Sequence, residues 1–521
     1  MEAYMRIRKV VLALVVTMAL APLISRAQDS KATMDAAARV MGTPLLGNIQ
    51  FTATGSNYAV GQAFQPEMPW PAFKVTRYKA DIDYMIPAMR VDLERTNPDG
   101  PVRGGGGLPL QAPQRQIQSL REMIAWNMAD LNGATAALAP PAAVSDRLLQ
   151  IWASPHGVIK AAQKAGSNAK LTVERGADGK NVSVITFPAA GTLVKATLNA
   201  DNRVEHVETR ADNPVLGDIV TETTYSGYRD ARQIGNPEAH PEDLTGVMFP
   251  SHIAQKQGGY PVLDLTITSV HPNAYMVFEV PENVVKATAQ QPATAASGPV
   301  RVDVQKVADG VYYLTGGTHH SVALEFKDYV VLIETPLNDD RALAVIATVK
   351  KTIPNKPIKY VVNTHHHFDH SGGLRAAVAE GAAIITQTAN KPYYEKVWAM
   401  PHTISPDRLA KSPRRPNIEA VVDKRVLTDR TRTLELYKLR DTDHADTVLI
   451  AYLPKDKILI EADVFTPGPA NAPAGPGNRE AANLYDNVQR LKLDVQQIIP
   501  IHGRLVTIND LRAAAGKAAT N

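Results

Sequence analysis

The stretch NTHHHFDHSGG, residues 363–373, constrains this chain more than any other part of its sequence. Four histidines and an aspartate fall within six consecutive positions, and Gly372 and Gly373 follow. The segment KYVV directly before the motif predicts a buried strand, so the cluster lies at a strand's carboxyl end, where α/β sheets gather ligands. A lone histidine is usually a satisfied surface or core residue, whereas four around an aspartate indicate a bound group. We expect the two glycines to let the backbone pass close to that group.

The spacing within the motif predicts which side chains share a side. If the chain stays extended, His365, His367 and Asp369 point to one side at a period of two. His370 then turns to another side as a helix begins, and His366 faces away in a supporting role. Such a segment would supply parts of two adjacent metal sites.

Three further residues of suitable type lie at the ends of predicted strands. His444 precedes the strand TVLIAYLP, Asp463 ends KILIEAD, and His502 ends QQIIPIHG. Each alone is compatible with a capping or surface residue, but their joint presence in one domain indicates a shared site. Because the chain contains no cysteine, any metal must be held by imidazole and carboxylate groups, and thiolate chemistry is excluded.

The N-terminus predicts export. Residues 1–27 combine a basic start, the apolar run VVLALVVTMALAPLI and the small-residue end Ser25-Arg26-Ala27, the pattern of a cleavable signal peptide. The alternative is an uncleaved anchor, but the run is short for a bilayer and Pro22 interrupts its end. We expect a periplasmic or secreted protein without a stable membrane span.

Residues 28–285 predict an α+β domain with a curved antiparallel sheet. Apolar spacing favours a helix over 114–131, and further helices are expected near 146–152 and over 155–165. From residue 170 to about 279 the period changes to two, and Asp-Gly at 178–179 predicts the first hairpin turn.

The beginning of this domain, up to the RGGGG run at 103–107, is rich in Pro and Gly, so we expect irregular segments with short strands there. The pieces YSGYRD, GVMFPSHI and VFEVPENV resemble the lipoprotein-carrier-like β domain of periplasmic sorting proteins.

A second domain is predicted over residues 301–521. Residues 286–300, KATAQQPATAASGPV, are Ala-, Thr- and Pro-rich without an apolar period, and are interpreted as the linker. Beyond them, strands and helices alternate, which predicts a layered α/β domain. The net charge of +4 is small for 521 residues and no basic stripe is present, so we expect a small-molecule substrate and not a nucleic acid. The sequence does not indicate the oligomeric state.

The C-terminal pattern resembles the metallo-β-lactamase-fold hydrolases over about residues 304–513. The resemblance is carried by the residues of the HxHxDH motif and the three later positions: His365, His367, Asp369, His370, His444, Asp463 and His502. It implies an αββα sandwich with the metals at one edge of its two sheets. By the same resemblance, a first ion is held by His365, His367 and His444 and a second by Asp369, His370 and His502. Asp463 would bridge two divalent ions; zinc suits this sulfur-free set, and iron or manganese accept the same ligands.

The implied activity is that of a metal-dependent hydrolase. A hydroxide held between the two ions would attack an ester, a lactone or a thioester, and Asp369 would orient it and move its proton. The family's β-lactamases generally carry Cys or Ser where this chain has Asp463, although export is compatible with a periplasmic β-lactamase. Glu334 in IETP and Glu461 in EAD also depart from the usual pattern without removing a ligand.

Several interpretations remain open at this stage. A periplasmic metallo-β-lactamase that hydrolyses β-lactams is the first alternative, and phosphate or sulfate esters are further possible substrates. A periplasmic carrier of a hydrophobic ligand is an alternative of another class. His319 and His320, in the predicted loop GGTHHS, would contact substrate or extend a metal site, or would simply be polar loop residues. The Pro/Gly-rich segment 466–478 is either a wall over the site or an ordinary surface loop.

Overall fold

The computed structural model describes residues 30–131, 133–176, 179–235, 244–290, 300–469 and 478–517. The predicted signal peptide, most of the predicted linker and most of the segment 466–478 lie outside these residues. No helix in the described ranges is long and apolar enough to cross a bilayer.

The N-terminal half is built on a large antiparallel sheet. The strands of this half, in chain order, are β1 Asn48–Tyr58, β2 Ala72–Asp83, β3 Ala88–Thr96, β4 Gln114–Arg121, β5 Ile124–Met128, β6 Ala137–Leu138, β7 Lys170–Arg175, β8 Asn181–Ala189, β9 Thr192–Leu198, β10 Val204–Asn213, β11 Gly217–Ser226, β12 Arg229–Asp230, β13 Met248–Phe249, β14 His252–Gln257 and β15 Tyr260–Pro272. Of these, the short strands β12 and β13 pair with each other, apart from the large sheet. Within the described residues the sheet has 13 strands in the order β6-β5-β4-β3-β2-β1-β15-β14-β11-β10-β9-β8-β7. The first strand therefore lies beside the last, near the middle of the sheet.

Helices cover one face of this sheet and its margin: α1 Ser30–Met41, α2 Ala142–Ala153, α3 Pro155–Ala165 and α4 Glu282–Gln290. Alternate residues of β1, among them Ile49, Phe51 and Ala53, are buried against apolar side chains of the first three helices, including Val158 and Ile159. This alternation is the burial pattern of a strand with one face packed on a core. Helix α4 continues five residues into the predicted linker.

Two predictions for this half were wrong. The expected helix over 114–131 is instead the hairpin of β4 and β5, in which β4 pairs with β3 along its whole length. The helical spacing arose from two adjoining strands, with Glu122 in the left-handed region (φ 52°) at the turn between them. Sheet pairing overrode local helical preference. The short strands expected before RGGGG are instead β1 to β3, which are long strands.

Other predictions were correct. Helices α2 and α3 occupy the predicted regions, and β7 and β8 form the expected hairpin. Gly166 follows α3 directly and ends it with a positive φ of 55°, as a glycine after a helix allows.

The C-terminal half contains two sheets. Its strands are β16 Asp303–Ala308, β17 Val311–Thr315, β18 Ser321–Glu325, β19 Val330–Ile333, β20 Ile358–Val362, β21 Ala383–Gln387, β22 Ile418–Val421, β23 Lys424–Thr428, β24 Thr433–Lys438, β25 Leu449–Leu453, β26 Ile458–Glu461, β27 Gln497–Pro500 and β28 Val506–Thr507. Its helices are α5 Asp339–Thr352, α6 Phe368–Ser371, α7 Leu374–Ala379, α8 Asn390–Val397, α9 Arg408–Lys411, α10 Arg479–Arg490 and α11 Ile508–Ala514. In the described ranges, one sheet runs from β16 to β22 and the other from β23 to β28, each in sequence order.

The order of the layers is shown by the sheet and helix faces that pack against one another. Apolar side chains of both sheets, such as Val331 and Ile460, share one core between them. The outer face of the first sheet packs against α5, α7 and α8, and that of the second against α10 and α11. The result is a helix–sheet–sheet–helix sandwich, as predicted.

The two halves share a hydrophobic core. Trp70 of the N-terminal half stacks on Tyr260 at 4.7 Å between ring centroids and meets Phe368 of the C-terminal half edge-on at 5.8 Å. At another point of the interface, the Asp218 carboxylate accepts hydrogen bonds from the backbone N–H groups of Thr403 and Ile404. These contacts place the N-terminal half directly against two segments of the C-terminal half, one after β20 and one between α8 and α9.

Candidate metal centre

Loops at one end of the two C-terminal sheets bring two groups of potential metal ligands together. Among the described residues, the first group consists of His365, His367, His444 and Asp463, and the second of His319, Asp369, His370 and His502. Within each group the ligand atoms all lie within 4.8 Å of one another. The structure thus brings together all seven residues predicted as ligands, and adds His319. Their roles as ligands stay predictions.

Asp463 lies between the two groups. Its Oδ2 is 3.1 Å from His444 Nε2 and 3.6 Å from His365 Nε2, in the first group. Its Oδ1 is 3.0 Å from His370 Nε2 and 2.8 Å from His502 Nε2, in the second group. One carboxylate oxygen therefore faces each group.

The motif itself divides between the groups where a helix begins. Residues after β20 are irregular as far as His367, and α6 starts at Phe368. The extended geometry that we expected for Asp369 ends before that residue, so Asp369 lies with His370 and not with His365. The first group therefore takes its motif residues from before the start of α6, and the second group takes its motif residues from within α6.

Gly372 and Gly373 serve packing, contrary to the prediction that they approach the bound group. A Cβ on Gly372 would lie 2.0 Å from the Leu337 carbonyl oxygen, and one on Gly373 would lie 2.5 Å from that of Thr335. The glycines let the motif pack against the turn after β19.

Most imidazoles of the two groups are held through the ring nitrogen that faces away. His365 Nδ1 is 3.0 Å from Thr364 Oγ1, and His502 Nδ1 donates to the Thr318 carbonyl at 3.0 Å. His370 Nδ1 lies 3.3 Å from Glu334 Oε2. Such outer contacts fix the ring orientation and tautomer, and leave the other nitrogen free to act as a ligand.

His366, His319 and His320 have three different environments. His366 faces away, as predicted, with Nδ1 2.8 Å from Thr447 Oγ1. His320 does not join either group, because its ring contacts the Tyr313 hydroxyl and the Gly317 carbonyl, so the structure does not support a substrate contact for it. His319 Nε2 lies 3.1 Å from Asp369 Oδ2.

Burial and neighbouring charges set the protonation of these groups. Burial lowers the pKa of His365 to about 4 and that of His367 well below its usual value, so both are neutral near pH 7 with a lone pair to offer. Burial opposes ionisation of Asp463, but His370 beside it holds the pKa of Asp463 well below the usual range. Burial opposes protonation of His370, but Asp463 and Asp369 beside it raise the pKa of His370 well above its usual value. The centre therefore combines the neutral rings of His365 and His367 with the charged pair of His370 and Asp463.

The distances between the donor nitrogens are better explained by a shared divalent metal ion than by hydrogen bonds between the rings. His365 Nε2 lies 3.0 Å from His367 Nδ1 and 3.2 Å from His444 Nε2, and His502 Nε2 lies 3.3 Å from His370 Nε2. One proton can satisfy only one such nitrogen pair at a time. Two ligands at about 2.0–2.1 Å from a tetrahedral ion are themselves about 3.3 Å apart. Imidazole and carboxylate groups without sulfur suit zinc, iron or manganese.

Sequence reasoning missed three contributors to the centre. Glu334 Oε1 accepts a 2.6 Å hydrogen bond from the Thr364 backbone N–H, beside the first ligand. Gln62 and Ala63, from the N-terminal half, contact Asp369 and His367. Glu334 was noted only as a departure from a family pattern, and no signal in the sequence marks the other two.

Comparison with known proteins places residues 314–495 in a match to the family model described as the metallo-beta-lactamase superfamily. His502 lies beyond the matched range. A linear primary-alkylsulfatase from Pseudomonas sp. is 32% identical over 76 residues, which are 14% of this chain and 11% of that protein. The chain thus matches only about a tenth of that relative's length.

Solved structures with similarity to this chain include a metallo-beta-lactamase from Pontibacter korlensis, at 18% identity and a TM-score of 0.31, covering 42% of this chain and 98% of that one. Another is a metallo-beta-lactamase from Hirschia baltica, at 20% identity and a TM-score of 0.31, covering 41% and 96% respectively.

Proposed function

We propose that the protein is a metal-dependent hydrolase of the metallo-β-lactamase superfamily, whose family model matches residues 314–495, and that it uses two divalent metal ions to hydrolyse an ester, a lactone or a thioester. The observation that carries this proposal is the position of Asp463, whose two carboxylate oxygens face two separate groups of imidazoles. A single-ion site would not need a carboxylate presented to both sides.

The first group would hold one ion through His365, His367 and His444, and the second group would hold the other through Asp369, His370 and His502. Metal ions held there would lower the pKa of a bound water to near 7 and would polarise the scissile carbonyl. All other steps fall to the chain's own residues.

In this proposal, Asp369 would orient the attacking water and move its proton. Its Oδ1 accepts a 2.8 Å hydrogen bond from the Gln62 amide and its Oδ2 lies 3.1 Å from His319 Nε2. His370 and His319 favour the ionised form of this carboxylate, whose pKa lies below its usual value although burial acts against this. As a base, Asp369 would accept the proton of the water and pass it to the leaving group.

A sulfate ester is the second candidate substrate. It is favoured by the 76-residue similarity to a linear primary-alkylsulfatase. The same arrangement of ligands and base serves either substrate, because both reactions deliver a water to an electrophilic centre and release an oxygen or sulfur leaving group. β-Lactams remain an alternative.

Metal analysis of the purified protein, joined to a hydrolysis panel, tests the proposal. The panel contains aryl esters and thioesters, acyl-homoserine lactones, aryl and alkyl sulfates, aryl phosphates and nitrocefin. We expect about two metal ions per chain and turnover of a carboxylic ester, lactone or thioester. Turnover of a sulfate alone would select the second candidate, and turnover of nitrocefin alone would select a β-lactamase.

The matched pair of variants is His367→Ala and His252→Ala. His367 is fully buried in the first group, so its loss should remove metal and lower turnover at least about 100-fold. His252 pairs with Asp264 on the surface of the N-terminal half, and its loss should leave both unchanged. Wild-type protein that binds no metal, or His367→Ala protein with full metal content, would contradict the proposal.

We also propose that the protein is exported, on the strength of residues 1–27. Expression with and without these residues, followed by cell fractionation and N-terminal sequencing, tests this. A full-length chain retained in the cytoplasm with an uncleaved N-terminus would contradict it.

A further inference from the structure

Two loops of the N-terminal half reach the metal centre. The β1–β2 loop, residues 59–71, and the β3–β4 loop, residues 97–113, both contact the segments that carry the ligands. The Gly61 carbonyl accepts from the Phe368 backbone N–H, and the Gly104 N–H donates to the Asp443 carbonyl. We propose that the N-terminal half contributes to the metal centre: Ala63 positions a ligand of the first group, and Gln62 positions a ligand of the second group. This inference rests on the proposed two-metal function.

Ala63 sets the orientation of His367. Its carbonyl oxygen lies 2.9 Å from His367 Nε2. A carbonyl only accepts, so Nε2 must carry the proton, and the lone pair is at Nδ1. Nδ1 is the nitrogen that faces the first group, 3.0 Å from His365 Nε2. The outer partner of this imidazole is thus supplied from the other half of the molecule, about 300 residues away in sequence.

Gln62 orients Asp369 in the second group. Its Nε2 donates to Asp369 Oδ1 at 2.8 Å, while its Oε1 accepts from the Gly106 backbone N–H at 2.9 Å. The amide is therefore fixed at both ends, and a side chain that only donates or only accepts would leave one contact unmade. Asp369 in turn is held between this amide and His319.

This arrangement explains why a glycine is needed at position 105, within the RGGGG run. A Cβ on Gly105 would lie 2.0 Å from Gln62 Oε1 and 2.7 Å from His367 Cε1. The backbone of Gly105 is not in the left-handed region, so the glycine is required by the space that these two side chains occupy. The Gly105 N–H also donates to the Gln62 carbonyl at 3.0 Å, which ties the two loops together.

The alternative is that these loops merely cover the site. A cover would tolerate changes that keep the fold, whereas positioning contacts would change metal affinity. Outer-sphere partners of ligands typically alter metal affinity by about 10–100-fold when they are lost. Each loop contact also addresses a different group, so the two should be separable.

The experiment uses the full-length chain with three variants: Gln62→Met, Gly105→Ala and Gly47→Ala. Methionine keeps the length of glutamine but neither donates nor accepts well. Gly47 is the matched control, because it too lies outside the left-handed region and a Cβ there would meet its nearest atoms at an ordinary 3.6 Å. Circular dichroism and thermal unfolding establish that each variant is folded.

Zinc affinity is measured by competition with a chelator, and the sites are distinguished by the visible spectrum of the cobalt-substituted protein. We expect Gln62→Met to weaken the second site about 10-fold or more and to spare the first. Gly105→Ala should weaken both sites, because its Cβ would displace both Gln62 and His367. Gly47→Ala should bind both ions as the wild type does.

Wild-type affinity at both sites and an unchanged cobalt spectrum in Gln62→Met and Gly105→Ala would overturn this inference. If Gly105→Ala does not fold, Gln62→Met decides alone. Failure of the proposed function looks different, because the wild type itself would then bind fewer than two ions.

Discussion

At the residue scale, the backbone of Asp463 is as informative as its side chain. Its φ is 67°, in the left-handed region, which non-glycine residues rarely adopt but which Asp and Asn tolerate best. The turn after β26 adopts this conformation, and the result is a carboxylate whose two oxygens face two groups of imidazoles. Asn at this position can keep the backbone and remove only the charge.

We expect Asp463→Asn to fold normally but to lose metal from both groups, with turnover reduced at least about 100-fold. The amide offers one oxygen where the carboxylate offers two, and its NH₂ group would face a cation. Metal content and initial rates check this. Asp494→Asn is the control, since the side chain of Asp494 is 69% exposed and pairs with Lys457 and not with a candidate ligand. Two ions retained in Asp463→Asn would argue against a bridging role.

Sequence reasoning singled out the candidate ligands that the structure brings together, but it missed the residues that contact them from the N-terminal half. His365, His444 and Asp463 could be found because ligand types are uncommon and recur at strand ends within one domain. Gln62 and Ala63 are ordinary residue types, and their partners are about 300 positions away. Only the folded arrangement of the two halves brings them together.

At the element scale, the helix α3 carries a buried histidine that links three segments. His156 Nδ1 is 3.0 Å from Thr43 Oγ1 and its Nε2 is 3.1 Å from the Met248 carbonyl oxygen. Burial lowers the pKa of His156 to about 3. The His156 ring is therefore neutral in the folded protein near pH 7.

This makes folding sensitive to mild acid. Between pH 6.5 and about 3 the unfolded chain binds a proton at His156 and the folded chain does not, so stability falls as the pH falls below 6.5. At pH 5 the cost is about 2 kcal/mol, from 1.4 kcal/mol per pH unit. Urea unfolding of metal-free wild type and His156→Gln at pH 7 and pH 5 measures it. The wild type should lose about 2 kcal/mol more than the variant; equal losses would show that His156 is not responsible.

The packing of the motif on α5 predicts a second effect at this scale. A Cβ on Gly373 would lie 2.5 Å from the Thr335 carbonyl and 2.6 Å from Ala342 Cβ, neither of which can easily move. Gly373→Ala should therefore lower the free energy of unfolding by about 1–3 kcal/mol. Gly317→Ala, whose Cβ would meet nothing closer than 3.8 Å, should have little effect. Chemical denaturation compares them, and an unchanged Gly373→Ala would refute the packing role.

Elements of the C-terminal half were easier to predict than those of the N-terminal half. Buried strands such as β19 and β25 are continuous apolar runs with clear ends, and α5 has an Asn cap and acidic first turn. Residues 114–131 carried a helical spacing, yet their pairing with β3 decides their structure. The pairing of a strand with its neighbour leaves no mark within the strand's own sequence.

At the scale of the whole molecule, the two halves share a core and should unfold together. Trp70 is 4% exposed and lies between Tyr260 and Phe368, and Phe368 is the residue between the candidate ligands His367 and Asp369. Trp70→Ala should cost about 3–5 kcal/mol. Calorimetry should show one cooperative transition that shifts as a unit. Two separate transitions, of which only one moves, would contradict a shared core.

The order of strands in the N-terminal sheet has a consequence for how the protein is made. Strand β1 lies between β2 and β15, and about 200 residues separate β1 from β15 in the chain. At roughly 5–20 residues per second, a ribosome needs on the order of 10–40 s to deliver the partner of β1. During that interval one edge of β1 stays unpaired, a template for pairing with other nascent chains. The loop bearing Gln62 is attached to this same strand, so the segment that we propose to orient the candidate ligands spends this interval next to an unpaired strand edge, before the C-terminal half has been synthesised.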